Sequence, residues 1–304
     1  MIDFPKLTQE KLLQRLTHPK RKVRMVLDTD TFNEIDDQFA VVYAMKSPEQ
    51  LQVEAFYAAP FHNKLSTGPK DGMEKSYEEL LKIRSHLPEM SGVPIYRGSE
   101  SYLPGPETPA DSEAARNLVE RAMASPDDDP LYVVAIGAIT NVASAILMEP
   151  RIIGKIVVVW LGGHALNWPT AKEFNLFQDL HASRIVLNSG VPLVLIPCLG
   201  VSSHLLTTLS EVRDYVKDKG SVGAYLYETF ENCAKDHAGY SRVIWDMSAI
   251  AYLIEGAWLP NELVHSPLLS EDFRWSFDAS RHFIRYVHYI QRDKVFQDLF
   301  RKLG

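Results

Sequence analysis

Short, nearly unbroken apolar runs rich in β-branched residues alternate with amphipathic stretches along most of this chain. Residues 23–27, 53–57, 131–136, 156–161 and 193–197 are each almost continuous in apolar side chains over the length of one strand. Such runs suit parallel strands that are covered on both faces. Between them, residues 37–46, 75–86, 111–124, 141–148 and 182–188 carry helical spacing. The order strand, helix, strand predicts an α/β fold: a doubly wound, mostly parallel sheet with flanking helices.

The pattern changes after about residue 205. Residues 208–255 read as largely helical, 273–291 are aromatic-rich with short strands, and a last helix falls near 292–303. The proline-bearing stretch 102–110 reads as a loop, not a linker. Residues 1–304 are therefore expected to form a single α/β domain with a helical C-terminal excursion.

Charge and cysteine content exclude several classes. A net charge of −7 leaves no strongly basic face for nucleic acid. Cys198 and Cys233 lie far apart with no CxxC partner, which rules out a cysteine zinc cluster and suits free thiols in a reducing compartment. Stretches 155–163 and 191–201 are too short to span a bilayer. The opening MIDFPKLTQEKLLQRL is broken by charge and lacks the apolar region of a signal peptide. A cytoplasmic protein without membrane or nucleic-acid partners is expected.

The chemistry is concentrated in MVLDTDTFNEIDDQFA, residues 25–40. Asp28, Asp30, Glu34, Asp36 and Asp37 fall within ten positions where an apolar strand turns into a helix. The carboxyl ends of strands in an open α/β sheet are where ligands bind. Asn33 as a helix cap, with the helical acids answering the dipole, accounts for part of this cluster. It does not account for Asp28 and Asp30, which strand alternation points the same way. Carboxylates converging there demand raised pKa values or a cation, and a hard oxygen-seeking ion such as Ca²⁺ or Mg²⁺ fits better than zinc.

An apolar strand followed by Asp-x-Asp-x-Thr resembles the nucleophile motif of haloacid-dehalogenase-type phosphatases, with Asp28 attacking phosphorus and Asp30 as acid/base. That family's later lysine and Gly-Asp motif have no counterpart, since the later strand ends read LGGH and PCLG. Asp-x-Asp, a short gap and Asp-Asp also resembles the nucleoside hydrolases. LYVVAIGAITN at 131–141, Asn167 with Glu173-Phe174-Asn175 and Asp179, and Trp245-Asp246 agree with that family in order.

The resemblance implies a metal-dependent N-glycosyl hydrolase that cleaves ribonucleosides to ribose and free base. It implies Ca²⁺ held by Asp30, Asp37, Asp246 and the main-chain carbonyl of Ile136, with Asp30 also the general base for the attacking water. Asp36, Glu173 and Asn175 would hold the ribose hydroxyls, Asn167 would stand near the 5′ end, Asn63 would contact the ribose, and Asp28 would brace the cluster. A homo-oligomer, dimer or tetramer, is expected, and no organic cofactor is required. The alternatives are the phosphatase and a catalytically silent homologue that only binds a ribosyl compound.

Two departures stand out. Five residues separate Asp30 from Asp36, where the family's usual number is three, so the extra residues must bulge or Glu34 must replace a ligand. Trp245 occupies the position where many members place a histidine acid. Purine-preferring members also carry tryptophan there, and its face can stack on a planar base, so purine nucleosides are the expected substrates. Tyr102, His62 and Trp168 are candidates for a second aromatic or acid. Residues 63–79 form an unusually long segment, with 66–72 read as a loop over the sheet edge.

Overall fold

The computed structural model describes residues 4–304. Eight strands form its central sheet: β1 (Val23–Thr29), β2 (Leu51–Ala58), β3 (Ile95–Arg97), β4 (Leu131–Ala135), β5 (Ile156–Leu161), β6 (Leu193–Ile196), β7 (Asn261–His265) and β8 (Phe283–Val287). Their spatial order is β3-β2-β1-β4-β5-β6-β8-β7. All pair in parallel except β7, which runs antiparallel to β8 at the edge. The expected doubly wound, mostly parallel sheet with flanking helices is what forms.

Strand alternation sorts the core onto two faces. Met25, Leu27, Val134 and Val159 face one side with the helices Asp36–Met45 and Met247–Ile254. Val26, Val133, Val158 and Trp160 face the other with Glu113–Ala124, Thr140–Met148 and Leu180–Asn188. The chain moves outward from β1 through β2 to β3, then returns to β1's other side with β4. The crevice at the carboxyl ends of β1 and β4 is thus the topological switch point.

Some elements escape the sequence pattern. The helix Gln9–Leu16, the short β3 and the polar edge strand β7 (burial mostly partial) carry too few apolar residues to signal themselves. The segment read as a long loop is shorter than expected: Pro69 starts the helix Pro69–His86, as proline suits a first helical position. Residues 69–72 are therefore helix, and Gly72 lies so close to Phe61 that a Cβ would sit 2.0 Å from its carbonyl oxygen.

Candidate active site

β1 delivers the first acids. Asp28 pairs across the strands with Tyr57 and Ala135 and is fully buried. Its Oδ1 accepts a hydrogen bond from Asn141 Nδ2 at 2.7 Å, while Oδ2 is buried without a partner. Burial raises its carboxyl to about 7 against the pull of Asn141. Asp30, just past the strand, has both carboxylate oxygens buried and unpartnered. Gly137 makes room for it: a Cβ there would lie 3.1 Å from Asp30 Cγ.

Two buried helices that pack on each other bring the remaining acids together. Asp36 and Asp37 open Asp36–Met45, and Asp246 immediately precedes Met247–Ile254. Carboxylate oxygens of these three residues lie within 4.8 Å of one another. Thr29 donates its hydroxyl to Asp37 Oδ1, and the Trp245 backbone N–H donates to Asp36 Oδ2 at 3.1 Å. Neither helix has a side-chain cap hydrogen bond at its N-terminus, so capping by Asn33 or Asp246 does not explain the cluster. Asp30 stands beside the trio and acts on it through charge.

Burial, followed by mutual repulsion, raises Asp30, Asp36 and Asp246 well above the ordinary carboxylate range. Burial also raises Asp37 to about 7, opposed by its bonds to Thr29 and Asp246. Unpartnered carboxylate oxygens in a buried, carboxylate-only cluster match the donor set of a hard divalent cation. Asp36, Asp37 and Asp246 converge closely enough to hold one. Asp30, expected as a ligand with Asp37 and Asp246, stands beside them with both oxygens unpartnered, and Asp36, expected at the ribose, is the third member of the group. Glu34 is not placed among them: its side chain is 44% exposed and pairs with Arg242 at 2.7 Å. The five residues between Asp30 and Asp36 run through turns and bends, and Glu34 is outside the converging group.

These acids line a cavity of about 260 Å³ together with Ile136, Glu173, Asn175 and Trp245. Glu173 caps the helix Phe174–Gln178, accepting from the backbone N–H groups of Gly163, Asn175 and Leu176 at 2.9–3.1 Å. Asn175 Nδ2 donates to the carbonyls of Ile136 and Leu161, each at 3.1 Å. Ile136 lines the cavity, and its carbonyl already has one acceptor direction used by Asn175.

Other candidates fall elsewhere. Asn167 is exposed and outside the lining, and Asn63 binds Asn33 at 2.6 Å on the rim. Asp179 caps Leu180–Asn188, ties Thr140 and Leu103, and is not among the residues that line the cavity. Tyr102 bonds Gln178, while His62 and Trp168 are exposed, and none of the three lines the cavity. His164, Phe174, Cys198 and Leu199 do. His164 and Cys198 follow the carboxyl ends of β5 and β6, and that position was the available signal. Burial lowers the His164 imidazole, and burial with nearby Glu173 pushes the Cys198 thiol up.

The family model for inosine-uridine preferring nucleoside hydrolases matches residues 25–286. The chain belongs to the nucleoside hydrolase family. A curated member, the pyrimidine-specific ribonucleoside hydrolase RihA of Escherichia coli O81 (strain ED1a), is 30% identical over 194 residues. That match takes in 56% of this nucleoside hydrolase and spans 58% of the relative's length. Solved structures share the fold. A plant nucleoside hydrolase, the PpNRh1 enzyme, superposes with TM-score 0.73 at 17% identity, covering 92% of this chain and 98% of its own. A purine-preferring ribonucleoside hydrolase from Gardnerella vaginalis gives 0.69 at 21%, with the same coverage. Among the described residues of this nucleoside hydrolase, no helix is long and apolar enough to cross a membrane.

Proposed function

We propose that this chain hydrolyses the N-glycosidic bond of ribonucleosides to ribose and free base, with Ca²⁺ as the ion and purine nucleosides preferred. The observation that carries the reading is the meeting of Asp36, Asp37 and Asp246 within 4.8 Å on the wall of one cavity, beside the unpartnered oxygens of Asp30. With family membership, this favours the nucleosidase over a haloacid-dehalogenase-like phosphatase.

Bond breaking passes through a ribosyl cation with oxocarbenium character. Asp30, with both oxygens free and a raised pKa, takes the proton from the attacking water. A hard cation held by Asp36, Asp37 and Asp246, with the Ile136 carbonyl in reach of the same cavity, would acidify that water and grip the 2′ and 3′ hydroxyls. Asp36, Glu173 and Asn175 orient the ribose from the wall, which fixes its anomeric carbon for attack. Asn63 and Asn167 join the ribose contacts through the family resemblance alone.

Trp245 has no acidic proton to give, so its role is to offer a flat face to the departing base. Its backbone N–H is tied to Asp36, and Trp245 lines the same cavity as the carboxylates. Phe174 adds a second aromatic wall, and both support a purine. The RihA likeness weighs towards pyrimidines, so substrate preference is the point to measure. A cytoplasmic location and a dimer or tetramer complete the proposal.

The test is base release from inosine, adenosine, uridine and cytidine, with bound metal measured alongside. Native turnover that disappears in Asp30→Asn supports the reading, and faster pyrimidine cleavage reverses the base preference. Tight nucleoside binding with no turnover in the native protein leaves a silent homologue instead.

A further inference from the structure

The proposed reaction does not account for the length of two sequence features: the five residues between Asp30 and Asp36, and the segment beginning at residue 63. The structure brings them to one wall. Asn33 and Glu34 line the carboxylate cavity and also a second cleft of about 660 Å³ on their other side.

The wall is clamped at both of these positions. Asn63 Nδ2 donates to Asn33 Oδ1 at 2.6 Å, and Arg242 Nη2 donates to Glu34 Oε2 at 2.7 Å. Arg242 is the more shielded partner, with its side chain 25% exposed. A charge-assisted bond to a half-buried guanidinium holds its geometry better than an open surface pair. Trp245 follows Arg242 by three residues and is itself tied to Asp36. The clamp therefore stands on the Trp245 side of the cavity.

We propose that the Asn33–Glu34 wall, pinned by Asn63 and Arg242, is a specificity-determining partition that limits the size of the base by closing the small cavity off from the larger cleft. This rests on the reading that the cavity takes a ribonucleoside with its base towards Trp245. The wall acts by volume, since Glu34 is spent on Arg242. Shortening both side chains joins the two spaces, and a base with a bulky substituent then extends into the cleft.

The experiment is calorimetric binding of adenosine and N6-benzyladenosine to the Ca²⁺-loaded protein, both supplied as 9-deaza C-nucleosides whose carbon–carbon glycosidic bond cannot be hydrolysed. It compares native chain, the Asn33→Ala/Glu34→Ala double variant and Glu34→Gln, each checked for an unchanged melting curve. Native protein should favour adenosine, and the double variant should shrink the ratio of the two Kd values at least tenfold. Glu34→Gln keeps the volume and the acceptor for Arg242, so its ratio should stay native. A double-variant ratio within twofold of native overturns the partition, as does a Glu34→Gln shift as large as the double variant's. Failure of the native protein to bind adenosine while it still releases base from a pyrimidine nucleoside overturns the partition alone; failure to bind or cleave any of the four nucleosides overturns the functional reading.

Discussion

Asn141 donates from Nδ2 to Asp28 Oδ1 at 2.7 Å, joining residues 113 positions apart in a region closed to solvent. The same amide's oxygen accepts from the Ser99 backbone N–H at 2.8 Å and from its hydroxyl at 2.9 Å. One side chain thus holds β1's terminal acid to the turn after β3. Asn141→Leu strands a buried carboxylate and two donors, at about 1–3 kcal/mol for each unsatisfied group. Urea unfolding should show a loss of roughly 3 kcal/mol or more, and a loss under 1 kcal/mol would contradict this bridge.

Asp30 should trade stability against catalysis. Both its oxygens are buried without partners beside other acids, an arrangement that costs the metal-free fold. Asp30→Asn removes that repulsion and should raise the metal-free melting temperature, by roughly 1–2 kcal/mol in stability terms. Base release should fall about 10²- to 10⁴-fold, the usual range for a lost general base. A variant both less stable and fully active would remove Asp30 from the role assigned.

Divalent ion should stabilise the chain through the carboxylate trio. At free ion about 100 times its Kd, linkage predicts about 2.7 kcal/mol of added stability. Melting in Ca²⁺ against excess chelator measures it. Asp37→Asn and Asp246→Asn should each reduce the ion-dependent rise, because each removes one of three converging ligands. An undiminished rise in both variants would place the ion elsewhere.

His282 predicts an acid-side loss of stability remote from the trio. Burial, then the nearby charges of Arg281 and His265, lower its imidazole to about 4, and its Nε2 is buried without a partner. The unfolded chain takes up this proton near 6.5, whereas the folded chain waits until about 4. The contribution is complete above pH 6.5 and is lost as pH falls through that window, up to about 3 kcal/mol in total. His282→Gln should flatten the stability profile between these limits, and an unaltered slope would count against it.

The sheet was legible because five of its strands are buried on both faces and so read as apolar runs. β3 and β7 were not, since a three-residue strand and a polar edge strand leave no such trace. Within the site, Asp28 to Asp37 announced themselves by density. Asp246 needed the family resemblance, because an acid before an apolar helix looks like a cap until the missing cap bond is seen. Cys198 reads as core unless its place after a strand end is weighed, and Glu34 reads as one more acid of the cluster because its pairing with Arg242 spans 208 residues.

The trio draws its members from widely separated parts of the sequence, with 209 positions between Asp36 and the residue before Asp246. An ion seated there would act as a clasp that closes most of the chain into one loop. A growing chain leaving the ribosome therefore has no complete seat until Asp246 has been made. Ion release from the finished protein would report unfastening of the whole fold, not the loosening of one segment.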